Sequence, residues 1–565
     1  MSQFVFHSKI PLEFPLSEDI EVNTNIDDLK NKIFLVSNTK EIEAEAYAND
    51  IDFYINNTQD PLSKRITNVA KLYEAAAIKY DFAQDIPYSE KISNSLLMIT
   101  NNEDERNEFK SYLKEDEFDM YHINVSMLKD INGKIGDLRV IVDNNGKDVE
   151  LNVAQIAWYD AGELGLKQSG TFDPKLTSTK EVVETLRANV VEYNYKKYTT
   201  YDPSICQYHE RREEVCGKCE EVCPTTAILK NDELKHLEFS QIDCHGCGGC
   251  ISVCPSGALD YAATNRESLF EVSKLYKESH PVIIPEKMDI ESLNIELKED
   301  VLPFSIEGEK FLHEASFLTL AQIAGSQVVF YSDFLSKGTN DAIRIVNDIY
   351  QKRFGKDCIL VAMNEEELQN ALEEVSFIEG SYFNIDQTSF AKRETFAARL
   401  RHIVGESDLG VVTTGEHIHY AKVKVNEANC TLCLSCVGAC NVGALVAEEK
   451  DHTLRLNPSL CTSCGYCELS CPEADCLTIE RDVIELQPNW FKENILARDT
   501  LFACVECGKE FATTKAIEKI ALMMAPLFSV DPAKERTLYC CSDCKPKVMM
   551  QSYYDEKKKG IQDAR

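Results

Sequence analysis

Long apolar runs are missing from this chain. No stretch reaches the ~18 consecutive apolar residues that span a bilayer, so membrane insertion is not expected. The start, MSQFVFHSKIPLEFPLSEDI, lacks the basic-then-apolar form of an export signal. The Arg211-Arg212 pair lies mid-chain beside Glu213 and Glu214, so it is no twin-arginine signal either. A cytoplasmic protein is expected. Positive charge is also short: 60 Lys and Arg against 94 Asp and Glu leave a net of −34. So acidic a surface repels phosphate backbones, which argues against nucleic acid as a partner. Glycine is scarce, 24 in 565 residues or about 4% against a usual ~7%. No GxGxxG follows a candidate strand and no GxxxxGK[ST] occurs, so a bound dinucleotide or nucleoside triphosphate is not expected. HExxH and GxSxG are absent too, and independent catalysis by this chain is not expected.

Cysteine is absent from residues 1–205, and its placement afterwards is the strongest signal in the sequence. Of 23 cysteines, eight lie between 206 and 254, nine between 430 and 476, and five between 504 and 544, leaving Cys358 apart. A reducing cytosol rules out a disulfide framework. Two- and three-residue gaps mark ligands. The second group reads Cys430-x2-Cys433-x2-Cys436-x3-Cys440, then Cys461-x2-Cys464-x2-Cys467-x3-Cys471-Pro472. Three thiolates at two-residue gaps fold round one iron–sulfur cube, while the fourth serves the other cube of the pair. The spacing therefore predicts Cys430, Cys433, Cys436 and Cys471 on one [4Fe–4S] cluster, and Cys461, Cys464, Cys467 and Cys440 on another. The first group has Cys244-x2-Cys247-x2-Cys250-x3-Cys254-Pro255, and Cys206-x9-Cys216-x2-Cys219-x3-Cys223-Pro224. The same crossover predicts Cys206, Cys216, Cys219 and Cys254 on one cluster, and Cys244, Cys247, Cys250 and Cys223 on the other. Two departures stand out. Asn441 replaces the proline after the fourth ligand, and the stretch QYHERREEV (207–215) is expected to loosen one loop.

The third group pairs Cys504-x2-Cys507-Gly508 with Cys541-x2-Cys544, two knuckles suited to a tetrahedral Zn2+ site. Cys540 is the alternative to Cys541, and a single iron or a fifth iron–sulfur centre the alternative to zinc. Cys358, at the head of CILVAM, and Cys476 are expected to be packing thiols. His245 is expected to face solvent or lie behind the ligands.

Elsewhere, Val69, Leu72, Tyr73 and Ala76 lie on one helix face within a helical N-terminal region, 1–92. A small α/β domain is expected over 93–200, with a hairpin turn at Asn145-Gly146 between RVIVD and VELNV. Between the two cysteine groups, QVVFY (327–331) and CILVA (358–362) alternate with helical patterns, which predicts a parallel, Rossmann-like α/β domain over 280–415. The fold class is thus α/β plus α+β multidomain, ending in a zinc-ribbon-like tail at 495–565.

The segments 201–265 and 422–485 resemble the two-cluster bacterial ferredoxin module, present here twice. The whole arrangement resembles the multi-cluster iron–sulfur proteins found with bacterial molybdenum or tungsten formate dehydrogenases and their maturation chaperones. The resemblance rests on Cys206 to Cys254 with SVCPSGALDYA, on LPFSIEGEKFLHEASF, and on CVECGKEF with CSDC. It implies an electron-transfer protein carrying four [4Fe–4S] clusters and one Zn2+. Its partner would be a redox enzyme such as formate dehydrogenase, or that enzyme's maturation chaperone. An accessory factor in maturation and an iron–sulfur redox sensor are the other readings.

Overall fold

The computed structural model describes residues 5–9, 11–16, 21–25, 35–39, 41–528 and 531–562. The parts of the 1–92 and 495–565 expectations that fall elsewhere lie outside the described residues. The chain forms two compact units, one of residues 1–403 with 416–418, the other of 404–415 with 419–565. No helix among the described residues is long and apolar enough to cross a membrane.

In the first unit, the helix Leu62–Phe82 buries Val69, Leu72, Tyr73 and Ala76, the face its periodicity indicates. Before it the structure differs from a purely helical reading. Glu21–Asn23, Val5–His7, Leu35–Ser37 and Ala46–Tyr47 form a small parallel sheet in that order. Strands of two or three residues are too short to print an alternation on the sequence. Next comes a parallel sheet ordered Thr171–Phe172, Gln155–Trp158, Ser95–Ile99, Asp119–Ile123. The helix Thr179–Val191 covers one face, burying Val182, Val183 and Leu186 against Leu96, Met98 and Ala157. Its start is capped by Ser178, whose Oγ accepts from the Glu181 amide at 3.2 Å, three residues on. Asn145 and Gly146 both take positive φ and turn Asp137–Asn144 back onto Lys147–Val153.

Between the two cysteine-rich segments lies a four-stranded parallel sheet, ordered Val301–Ile306, His280–Pro285, Val328–Tyr331, Ile359–Ala362. The two strands after the helix Glu314–Ala324 are the ones that sequence alternation picks out. The other two contain Pro281, Pro285 and Pro303, and proline argues against a strand because it cannot donate to a ladder. Pro303 is tolerated because its strand is at the sheet edge. Every residue of Glu314–Ala324 is buried, and Lys337–Phe354 adds a face of Ile345, Val346 and Ile349. Cys358 is fully buried at the head of the last strand, as its apolar surroundings require.

In the second unit, Ala421–Val425 pairs with Leu477–Arg481, and the hairpin Leu445–Glu448/Thr453–Leu456 gains a third strand, Asn494–Arg498. The tail adds Leu501–Ala503 paired with Glu510–Thr513, then helices Thr514–Phe528, Pro532–Thr537 and Lys545–Gln562.

The sheet carries a pH-sensitive residue. His280 Nδ1 lies 2.6 Å from Ser326 Oγ, and its ring packs on Phe377. Burial, helped by the charges of Lys298 and Lys64, holds this imidazole down at about 4 against an ordinary 6.5. Above pH 6.5 it is neutral folded or unfolded. As pH falls from 6.5 to 4 the unfolded chain takes up a proton that the fold refuses, so stability falls. At about 1.36 kcal/mol per pH unit, His280 accounts for a loss of about 3 kcal/mol. His280→Asn is expected to remove that share, flattening the fall of the urea midpoint between pH 7 and pH 4 relative to wild type.

Candidate metal centres

The two cysteine-rich segments fold alike. In the first, Thr199–Tyr201 pairs with Leu259–Tyr261 around a hairpin, Ile228–Asn231/His236–Phe239, and short helices Lys218–Glu221 and Gly249–Val253. In the second, the outer pair and hairpin already described enclose the short helices Ser435–Ala439 and Tyr466–Leu469. A shared feature that cysteine spacing alone misses precedes one ligand in each. Asp202-Pro203-Ser204-Ile205-Cys206 and Asn457-Pro458-Ser459-Leu460-Cys461 are both short 3-10 turns. Asp202 and Asn457 cap them, accepting from Ser204 N at 2.9 Å and Ser459 N at 3.2 Å. The repeated [DN]-P-S-[IL]-C was there to be read.

The cysteine loops share one backbone. In Cys244–Cys250, Cys430–Cys436 and Cys461–Cys467 the residues flanking the middle cysteine take positive φ: Gly246 and Gly248, Leu432 and Leu434, Ser463 and Gly465. A left-handed residue on each side of a thiol curls the loop round a common point. Leucine adopts this conformation in one loop, so φ alone does not demand glycine. Gly248 is required by its neighbour, since a Cβ there would lie 2.4 Å from Phe311 Cβ.

The structure brings each intact triplet together with a remote cysteine. Cys244, Cys247 and Cys250 line one cavity with Cys223, and Cys430, Cys433 and Cys436 line another with Cys471. Cys206 and Cys254 lie close enough to Cys216 and Cys219 to raise those two thiols, and Cys461, Cys464 and Cys440 lie close enough to raise Cys467. Burial and then the neighbouring thiols push Cys216 and Cys436 up to about 12. Cys219 and Cys250 are raised well above the ordinary range for the same reasons. Buried sulfurs that resist ionisation, such as Cys216, Cys219, Cys250 and Cys436, become thiolates when a cationic core is bound. That donor set fits an iron–sulfur cluster.

Two placements differ from the sequence reading, residues 207–215 and Cys476, while His245 agrees with it. Residues 207–215 do not form a loose loop. Tyr208 is buried, its hydroxyl donating to Asp232 Oδ1 at 2.8 Å, Arg211 is buried, and Glu214 holds Lys230 at 2.7 Å. Cys476 is buried as expected, but on the wall of the cavity formed by Cys430 and Cys471, not in remote packing. His245 is exposed at the rim of its cavity.

In the tail, the sulfurs of Cys504, Cys507, Cys541 and Cys544 all lie within 4.8 Å of one another. Cys540 stands outside, bonded to the Arg536 carbonyl at 3.3 Å. Cys507 Sγ and Cys541 Sγ are 3.7 Å apart. Four sulfurs about 2.3 Å from one tetrahedral ion would be separated by about 3.8 Å. Among the described residues no other His, Cys, Asp or Glu group is gathered so tightly. Burial opposes ionisation of Cys504, but amides of Cys541, Glu506 and Cys507 outweigh it and bring this thiol down to about 6.

Residues 214–258 match the 4Fe-4S dicluster domain, and so do residues 422–472. The second match holds all eight of its cysteines. The first holds seven, Cys206 lying before it. A curated relative from Methanosarcina acetivorans, one component of an ion-translocating oxidoreductase complex, is 32% identical over 66 residues, 10% of this chain and 24% of that relative. The chain thus spans about a quarter of the relative it matches.

Loop geometry makes a prediction. Gly248→Ala is expected to destabilise its unit by about 2–4 kcal/mol, combining left-handed strain with overpacking against Phe311. Gly465→Ala, whose Cβ meets only the mobile end of Arg481, is expected to cost about 1–2 kcal/mol. Urea midpoints of the two variants would measure the difference.

Proposed function

We propose that this chain is a cytoplasmic electron-transfer protein with four [4Fe–4S] clusters and one Zn2+. Cys206, Cys216, Cys219 and Cys254 hold the first cluster, and Cys244, Cys247, Cys250 and Cys223 the second. Cys430, Cys433, Cys436 and Cys471 hold the third, and Cys461, Cys464, Cys467 and Cys440 the fourth. Cys504, Cys507, Cys541 and Cys544 hold zinc, a structural ion with all four positions filled by protein. The observation that carries this reading is the crossover: remote Cys223 and Cys471 each complete a cavity with a triplet from the other half of their module.

Such clusters supply one-electron redox chemistry when bound. The protein's part is to hold them in pairs, shield them with short strands, and set their potentials through burial and charge. The acidic chain favours the oxidised state and biases potentials downward, an effect blunted beyond the ~8 Å screening length at physiological salt. The short relative is named for an oxidoreductase complex, which agrees with a relay between redox enzymes. On the resemblance of the whole arrangement, that partner is a formate dehydrogenase system. The parallel-sheet region between the modules serves as a Rossmann-like scaffold or docking domain.

Anaerobically purified protein is expected to contain about sixteen irons and one zinc per chain, with visible absorbance that dithionite bleaches. About eight irons or fewer, or colourless protein, would overturn the reading. Cys254→Ser is expected to damage the cluster held by Cys206, Cys216 and Cys219 and to spare its neighbour, as read in spectra of the reduced protein.

A further inference from the structure

Away from the cysteines, the first unit contains a cavity of about 180 Å3 where three helices begin. Arg266–Ser273 contributes Arg266 and Glu267, Glu314–Ala324 contributes Ala315 and Ser316, and Lys392–Val404 contributes Lys392 and Thr395. Each helix start carries a partial positive charge and amides without intrahelical acceptors. The middle helix matters most. No side chain caps it, and its first intrahelical bond runs from Phe317 N to His313 O, so the amides of Ala315 and Ser316 have no intrahelical acceptor.

A second, independent feature points the same way. His313, only 4% exposed, lines the cavity, and its Nδ1 has no hydrogen-bond partner among the described residues. Arg266 Nη1 is likewise buried without a partner. Thr319 and Gln387 add further polar groups to the wall. The acidic side chains nearby are accounted for. Asp260 pairs with Arg266 Nε at 3.2 Å, Glu314 pairs with Lys392 at 3.4 Å, and Glu267 is exposed. Burial keeps His313 neutral, well below its ordinary range.

We propose that this cavity binds a small carboxylate anion, held by the start of Glu314–Ala324, His313 and Arg266. Size and charge select the class. The space is below the ~300–1,000 Å3 of sites for drug-sized ligands. Glu314 holds Lys392, Asp260 faces Arg266, and Asn265 and Asp260 already cap the start of Arg266–Ser273, so the donors left for a ligand are the uncapped amides of Ala315 and Ser316, His313 and Arg266 Nη1. This suits one negative charge better than the two of a phosphate. The site also touches the first cysteine-rich segment, because Lys392 Nζ donates to the carbonyls of Ser252 at 2.9 Å and Cys254 at 3.1 Å.

The test is calorimetric titration of the full chain with sodium acetate, and with sodium chloride and inorganic phosphate at matched ionic strength. Saturable acetate binding, weaker for phosphate and absent for chloride, is expected. Arg266→Gln should weaken it roughly tenfold or more, the scale of one lost charged hydrogen bond. Ser316→Leu, which fills the cavity without touching a charge, should abolish it, circular dichroism reporting that each variant folds. No saturable heat with acetate, equal heats with chloride, tighter phosphate binding, or unchanged affinity in a folded Ser316→Leu protein would each overturn the proposal. Iron content does not enter these readouts, so the cluster assignment and the anion site fail separately.

Discussion

A thiol buried among other thiols cannot ionise unless positive charge sits between them, and the arrangement of this chain follows from that constraint. Burial moves Cys216 from an ordinary 9 to about 12, about 4 kcal/mol against the thiolate at 1.36 kcal/mol per unit. Neutral thiols are poor ligands. Four of them facing one cavity are therefore unfavourable as a metal-free site and favourable as a metal-bound one. The tail meets the same problem differently. Its sulfurs are close enough for one ion, and amide donors bring Cys504 down to about 6 while burial and the neighbouring thiols push Cys544 up to about 12.

The two modules show which parts of the sequence this constraint fixes and which it leaves free. Fixed are the two-residue gaps of the three intact triplets, the left-handed residues around the middle cysteine of each, and a capped turn before one ligand in each module, Cys206 and Cys461. Free is the identity of those left-handed residues, glycine in one loop and leucine in another, as long as the surrounding chain leaves room. Also free is loop length before Cys216. Nine residues fit there because Tyr208 and Glu214 tie the insertion to Asp232 and Lys230 on the inner hairpin. The remote cysteines differ as well. Thr225 Oγ1 and Ser256 Oγ lie 3.5 and 3.9 Å from Cys223 and Cys254, whereas Val442 and Glu473 occupy the corresponding places after Cys440 and Cys471. The Cys471 sulfur instead meets the Glu473 carbonyl at 3.7 Å, so the polar contacts of the remote sulfurs differ between the modules.

Legibility in the sequence tracked how local each signal is. Cysteine spacing is local, and it indicated the two cysteine-rich modules and the gathering of Cys541, not Cys540, with Cys504, Cys507 and Cys544. The face of Leu62–Phe82 and the Asn145-Gly146 turn were equally plain. What escaped depended on distant partners. His280–Pro285 and Val301–Ile306 are strands only because they pair with each other, and the former also with Val328–Tyr331, which overrides the proline signal. The N-terminal sheet is built from strands too short to show a period. Cys476 reads as packing until Asn426–Cys430 folds back on it, with Asn426 N donating to the Cys476 carbonyl at 2.7 Å. The converging helix starts behind Cys254 come from three segments more than forty residues apart, and no motif announces them.

Each module is also held by cationic side chains from outside it, at the loop carrying a remote cysteine. In the first unit, Lys392 bonds the Ser252 and Cys254 carbonyls, and Arg393 Nε bonds the Pro255 carbonyl at 2.8 Å. Lys392 is buried, so its charge needs compensation, and buried Glu314 at 3.4 Å provides it. In the second unit, Lys519 of the tail pairs with Glu473, two residues after Cys471, and Thr513 Oγ1 donates to the Thr431 carbonyl at 2.8 Å. Thr431 and Glu473 both lie on the wall of the Cys430–Cys471 cavity. The tail thus braces a module, and a tetrathiolate ion that orders the tail would act on the neighbouring cavity through Lys519 and Thr513. A ferredoxin module needs no such brace to fold round its cysteines. Where one is present, the position of the remote ligand, and with it the shape of the cavity, is set by the whole unit and not by the module alone.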